Sequence, residues 1–167
     1  MKMRIALAAG LLAVPLAARA DDPPVIDHVP APCTIPEKAI SLCSAISDDN
    51  RVATARLYFR RAGEDFYQFA DMAFTGVSYC GIIPGPREGK MKSIEYYVQA
   101  VDDQFQPNRT STFNMNVQPE GVCEFPPRAD AKKAASIKVF ATNRKQGTKL
   151  DGAFVQTGVT FVPVVSR

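Results

Sequence analysis

The side chains in this 167-residue chain whose types could do chemistry are four cysteines, one histidine and a few paired acids. Cys33, Cys43, Cys80 and Cys123 are separated by 10, 37 and 43 positions. No Cys-x-x-Cys occurs and the intervals match no zinc-ligand pattern, so redox and metal chemistry lack their usual spacing. An even count points instead to two disulfides, and spacing does not choose among the three possible pairings. The lone His28 excludes paired-imidazole catalysis and His-rich metal sites. No Gly-x-Ser-x-Gly, His-Glu-x-x-His or Gly-rich phosphate loop accompanies it, so a structural role is expected. Glu64-Asp65 and Glu88 read as isolated loop acids rather than a facing catalytic pair. No catalytic residue, cofactor-binding residue or metal site is expected.

Two arrangements point to binding rather than reaction. Asp48-Asp49 with Asn50, and Asp102-Asp103, carry the hard oxygens that Ca²⁺ takes. They are equally ordinary turn residues, and no Asp-x-Asp-x-Asp-Gly loop is present. Arg56, Tyr58 and Arg60, and likewise Glu95, Tyr97 and Gln99, recur with period two, which puts each triplet on one side of a strand. Aromatics and Arg are the types enriched where proteins bind partners. The absence of Trp removes the largest platform on which a sugar ring would stack.

Strands must position these residues. With 46% hydrophobic and 22% charged residues the composition is that of a folded globular domain. Between Pro24 and Val117 apolar residues alternate, and turn residues interrupt them every ten or so positions, the pattern of an all-β sandwich or barrel. The alternation predicts inner faces from Ile40, Leu42, Ser44 and Ile46; from Ala53, Ala55, Leu57 and Phe59; from Val77, Tyr79, Gly81 and Ile83; from Ile94, Tyr96, Val98 and Ala100; and from Phe113, Met115 and Val117. Ahead of these, Lys2 and Arg4 precede an apolar run from Ile5 to Ala18, and Ala18-Arg19-Ala20 fits a small-x-small cleavage site. Residues 1–20 are therefore expected to be a signal peptide, the mature chain to start at Asp21 without a membrane-spanning segment, and the location to be periplasmic or secreted. The Asn108-Arg109-Thr110 triplet is read as coincidence, because the leader has a bacterial style.

The strings Ile46-Ser47-Asp48-Asp49-Asn50-Arg51-Val52 and Ala55-Arg56-Leu57-Tyr58-Phe59-Arg60 carry a resemblance. So do Phe66 to Met72, Tyr79 to Pro84, and Ile94 to Asp102. Together, over about residues 24–118, the chain resembles bacterial immunoglobulin-like and fibronectin type III-like domains. The resemblance implies a two-sheet sandwich of about seven strands, with A, B and E in one sheet and C, C′, F and G in the other. In that arrangement Cys43 on strand B and Cys80 on strand E point out of the core on adjacent strands and pair, which leaves Cys33 for Cys123. Such folds host many roles, so the resemblance implies a module and no particular ligand.

The organisation expected is a signal peptide (1–20), a sandwich domain (21–123) and a C-terminal linker and extension (124–167). In the extension, Ile137 to Ala141 and Phe154 to Val165 read as a β-hairpin with a long loop. A lone hairpin is marginal, so it is expected to cover a free edge of its own sandwich, or to add to another chain. Charge divides close to that boundary, at the end of the last sandwich strand. Residues 21–118 hold 9 basic and 13 acidic side chains, and residues 119–167 hold 8 and 4. That neutral, polarised chain has no nucleic-acid footprint. The function expected is a disulfide-stabilised, non-catalytic interaction module for an unknown protein or envelope component, monomeric or weakly self-associating. The alternative is a structural subunit that assembles through the C-terminal hairpin or a sheet edge.

Overall fold

A computed structural model describes residues 22–165; the expected leader, residues 1–20, lies outside the described residues. Twelve strands succeed one another: β1 (Val25–Asp27), β2 (Cys33–Thr34), β3 (Ile40–Ser47), β4 (Val52–Arg61), β5 (Gln68–Asp71), β6 (Ala73–Phe74), β7 (Tyr79–Ile83), β8 (Ser93–Asp102), β9 (Pro107–Arg109), β10 (Phe113–Val117), β11 (Ile137–Ala141) and β12 (Val159–Val162). They form two sheets, one ordered β1-β3-β7-β6 and the other β12-β11-β5-β4-β8-β10-β2, with β9 pairing on β8. The fold is an all-β sandwich, as the alternating pattern predicts.

The inner faces make one core. Leu57, Phe59, Ile94, Tyr96, Val98 and Met115 of the larger sheet and Ile40 and Ile83 of the smaller one are fully buried. Each large apolar side chain taken from water stabilises the fold by about 1.5–3 kcal/mol. Two inward residues differ from the alternation. Ala53 is exposed because the β4–β8 register shifts between Val52 and Thr54, and such an irregularity turns one side chain to the other face. Val77 is 88% exposed because it lies in the β6–β7 turn, before the strand begins.

At its start the chain changes sheets. β1 pairs with β3, and β2 pairs in parallel with β10 in the opposite sheet. Pro30 and Pro32 fall in the crossing, where a residue without an N–H breaks no ladder.

The extension docks on its own sandwich: β11 pairs antiparallel with β5 at what would otherwise be a sheet edge. Its strands do not form the expected hairpin, for β12 runs parallel to β11. Parallel neighbours need a crossover of a dozen or more residues, and residues 142–158 supply it through a 3-10 turn (Arg144–Gln146) and an inward dip. That dip carries Leu150, Ala153 and Phe154, all buried. Ile137, Val139, Leu150 and Phe154 belong to the same apolar cluster as the sandwich.

Candidate binding face and the groups around it

Both disulfides are formed, between Cys33 and Cys123 and between Cys43 and Cys80. Cys43 and Cys80 are directly opposed on β3 and β7, with Cα atoms 4.1 Å apart, and Cys43 is exposed on the outer side of the smaller sheet. Cys33 and Cys123 are buried with Ile35 in a cluster apart from the main core. Two disulfides indicate an oxidising environment. No helix among the described residues is long and apolar enough to cross a membrane.

The six residues singled out on strands four and eight share one face of the larger sheet. Arg56 is paired with Gln99, Tyr58 with Tyr97, and Arg60 with Glu95, as directly opposed residues. The structure adds a continuation that sequence reading missed. Phe69 opposes Tyr58 on β5, and Phe140 opposes Phe69 on β11. Tyr97, Tyr58, Phe69 and Phe140 therefore stand in one row across four strands, about 14 Å long at the usual strand spacing.

The rings in that row pack on one another. Tyr58 stacks on Tyr97 with centroids 4.7 Å apart and planes 7° from parallel, and Phe69 stacks on Phe140 at 4.9 Å and 11°. Tyr58 and Phe69 join the two stacks at 5.3 Å. Cations cover the remaining ring surface: Arg56 over Phe69 at 4.5 Å, Arg60 over the adjacent Tyr67 at 4.2 Å, Arg109 over Tyr97 at 5.2 Å and Lys138 over Phe140 at 5.0 Å. With ring faces occupied, the row offers a ligand its edges, which carry the positive side of the aromatic quadrupole.

Two of the four cations are tied to acids. Arg60 bonds Glu95 at 2.6 Å and donates to the Glu64 carbonyl at 2.7 Å; Arg56 meets Asp71 at 3.3 Å. Arg109 and Lys138 form no salt bridge among the described residues. Burial raises the Tyr97 phenol above its ordinary pKa, with a further push from the Tyr58 phenol, so it stays a neutral donor at physiological pH. Phe69 and Phe140 carried a usable signal, since each lies between inward neighbours in a short period-two run (Gln68 and Ala70; Val139 and Ala141). Which edge of the sandwich β11 would join was not readable.

The paired acids do share one pole of the sandwich, but each serves its own turn. Asp48 accepts from the N–H groups of Asn50 and Arg51, and Asp102 from those of Gln104 and Gln106. No group of three or more potential metal-ligating acids, histidines or cysteines gathers among the described residues.

His28 ties the two sheets together. Its Nδ1 lies 3.0 Å from the Cys43 carbonyl and 2.9 Å from Ser44 Oγ on β3, and its Nε2 lies 3.1 Å from the Tyr96 hydroxyl on β8. That hydroxyl also accepts the Ala31 N–H at 2.9 Å. A neutral ring with its proton on Nδ1 satisfies the whole chain of contacts. Burial lowers the His28 pKa, the Cys43 carbonyl opposing in part.

No family model, curated protein or solved structure matches this chain.

Proposed function

We propose that this chain is an exported, non-catalytic module of immunoglobulin-like type that binds a protein or other envelope component through the outer face of its larger sheet. The observation that carries this reading is the row Tyr97–Tyr58–Phe69–Phe140 with three cations over its rings, Arg109, Arg56 and Lys138, and Arg60 over the adjacent Tyr67. Outer sheet faces usually carry scattered polar side chains. Here rigid, half-buried aromatics and arginines are concentrated on one flat area, and these types dominate binding energy at protein interfaces. A flat sheet with ring edges rather than ring faces suits a protein surface better than a sugar chain, which stacks on exposed faces. The grouping of β1, β3 and β7 in one sheet and of β4, β5, β8 and β10 in the other supports the immunoglobulin-like reading. The two disulfides and the leader-like start support export.

The test is partner capture by site-specific crosslinking from position 99 in envelope extracts. Tyr58→Ala with Tyr97→Ala should abolish the crosslinked product while leaving the circular dichroism spectrum and cooperative unfolding intact. Equal capture by the double variant would refute the reading.

A further inference from the structure

The two disulfides differ in what a thiol from solution can reach. Cys33 and Cys123 are 9% and 5% exposed and pack with Ile35. Cys43 is exposed on the outer face of the smaller sheet, and Cys80, directly opposed to it, is half-buried. Exchange begins when a thiolate attacks one sulfur of a disulfide and the other leaves, so access and the stability of the leaving thiolate set the rate.

The surroundings of the sulfurs differ as well. Ser41 and Ile82 are the opposed pair two positions along from Cys43 and Cys80, so all four share the outer face. Ser41, Ile82 and Cys80 line a cavity of about 350 Å³ there, together with Lys132 and Lys133 of the helical turn α1 (Ala131–Ala134) and Lys138 of β11. These lysines form no salt bridge among the described residues, and Lys138 lies over Phe140. The one acid in the lining, Asp71, is paired with Arg56. Ser78 Oγ lies 3.7 Å from Cys80 Sγ, and because a disulfide sulfur carries no proton the hydroxyl is the donor. Neighbouring cations favour a thiolate, and so does a donated hydrogen bond. Cys123 has the opposite setting. The surface pocket that it lines carries Glu120 and Glu124, and the cation there, Arg128, is taken by Glu120.

We infer that Cys43–Cys80 is a thiol–disulfide exchange site that accepts two electrons from a dithiol. One donor thiolate attacks the exposed Cys43 sulfur and forms a new S–S bond there. The Cys43–Cys80 bond breaks, and its electron pair leaves on Cys80, where the Ser78 hydroxyl and the lysines stabilise the thiolate. The donor's second thiolate then attacks its own sulfur in the mixed disulfide and releases Cys43. The donor ends as a disulfide and the bridge as two thiols, the two donor protons passing through water to the Cys43 and Cys80 sulfurs. The backbone ladder between β3 and β7 takes no part, so the sheet stays paired. The site lies on the other sheet from Tyr58 and Tyr97 and stands apart from the outer-face reading.

Uncharged thiols test it, because lysines cannot act on them by attracting the reagent. The full mature chain is treated with 2-mercaptoethanol under native conditions, quenched with acid and mapped by mass spectrometry. The mixed disulfide should sit on Cys43, with Cys80 free and Cys33–Cys123 intact. Dithiothreitol should open Cys43–Cys80 about tenfold or more faster than Cys33–Cys123, in a chain that keeps its circular dichroism spectrum. Lys132→Glu with Lys133→Glu should slow that opening about tenfold, as a poorer leaving thiolate does, and Ser78→Ala should slow it as well. Tyr58→Ala with Tyr97→Ala should leave it unchanged. Thermal melts confirm that each variant is folded before it is scored. A mixed disulfide on Cys80, two bridges that open together, or a rate indifferent to the lysine reversal would each overturn the inference.

Discussion

Phe154, from the C-terminal extension, meets Phe59 of β4 edge to face, with ring centroids 5.3 Å apart and both residues fully buried. The extension is thus part of the core rather than a strap across it. Phe154→Ala removes a ring that the surrounding strands cannot replace and should cost about 3–5 kcal/mol in urea unfolding. Deletion of everything after Cys123 would strip Val139, Leu150 and Phe154 from the core and uncover the β5 edge. That shortened chain should be aggregated or unfolded, as gel filtration would report; a soluble monomer with cooperative unfolding would show the extension to be dispensable.

The two disulfides should differ in worth. Cys33–Cys123 spans 90 positions and Cys43–Cys80 spans 37. If loop closure in the unfolded chain dominates, they contribute about 4.6 and 3.8 kcal/mol respectively. Replacing Cys33 and Cys123 with Ala should therefore lower the urea midpoint more than the same change at Cys43 and Cys80. The reverse order would assign the stabilisation to native contacts instead.

Stability should depend on pH through His28. The folded pKa lies below the unfolded value of about 6.5, so the unfolded chain binds the proton more readily. The stabilisation is complete above about pH 6.5 and is lost as pH falls through the depressed folded value. Protonation puts a second N–H against the Tyr96 hydroxyl, which already accepts from Ala31. Unfolding free energy measured from pH 7.5 to 5 should fall for the native chain and fall less for His28→Gln. Parallel curves would remove His28 from the account.

Gly85 should tolerate no side chain. A Cβ there would lie 2.2 Å from the Lys38 carbonyl oxygen, and backbone cannot move aside as a flexible side chain can. The Gly85 carbonyl also accepts from Val155, so the same residue joins the sandwich to the extension. Gly85→Ala should cost about 3 kcal/mol or more. Gly63→Ala meets open space and pays only for its positive φ, about 1–2 kcal/mol. Thermal melts of the pair would compare the two.

Local pattern was enough for much of this molecule. Period-two alternation marked the inward residues of β4 and β8, and the outward set Arg56, Tyr58, Arg60, Glu95, Tyr97 and Gln99, because side-chain direction in a strand is a property of each residue and its immediate neighbours. Four evenly matched cysteines in a chain with a leader-like start marked two disulfides, though not, by spacing alone, their pairing. How the extension joins the sandwich was decided only in three dimensions. The parallel setting of β11 and β12 follows from Leu150 and Phe154 finding room in the core, which lengthens the connection into a crossover. The aromatic row needs β8, β4, β5 and β11 to be neighbours at one register, which Tyr97 and Phe140, 43 positions apart, cannot encode locally. Ala53 and Val77 mark the same boundary from the other side: a register shift and a turn, each imposed by a partner strand, moved them off the face their spacing assigned.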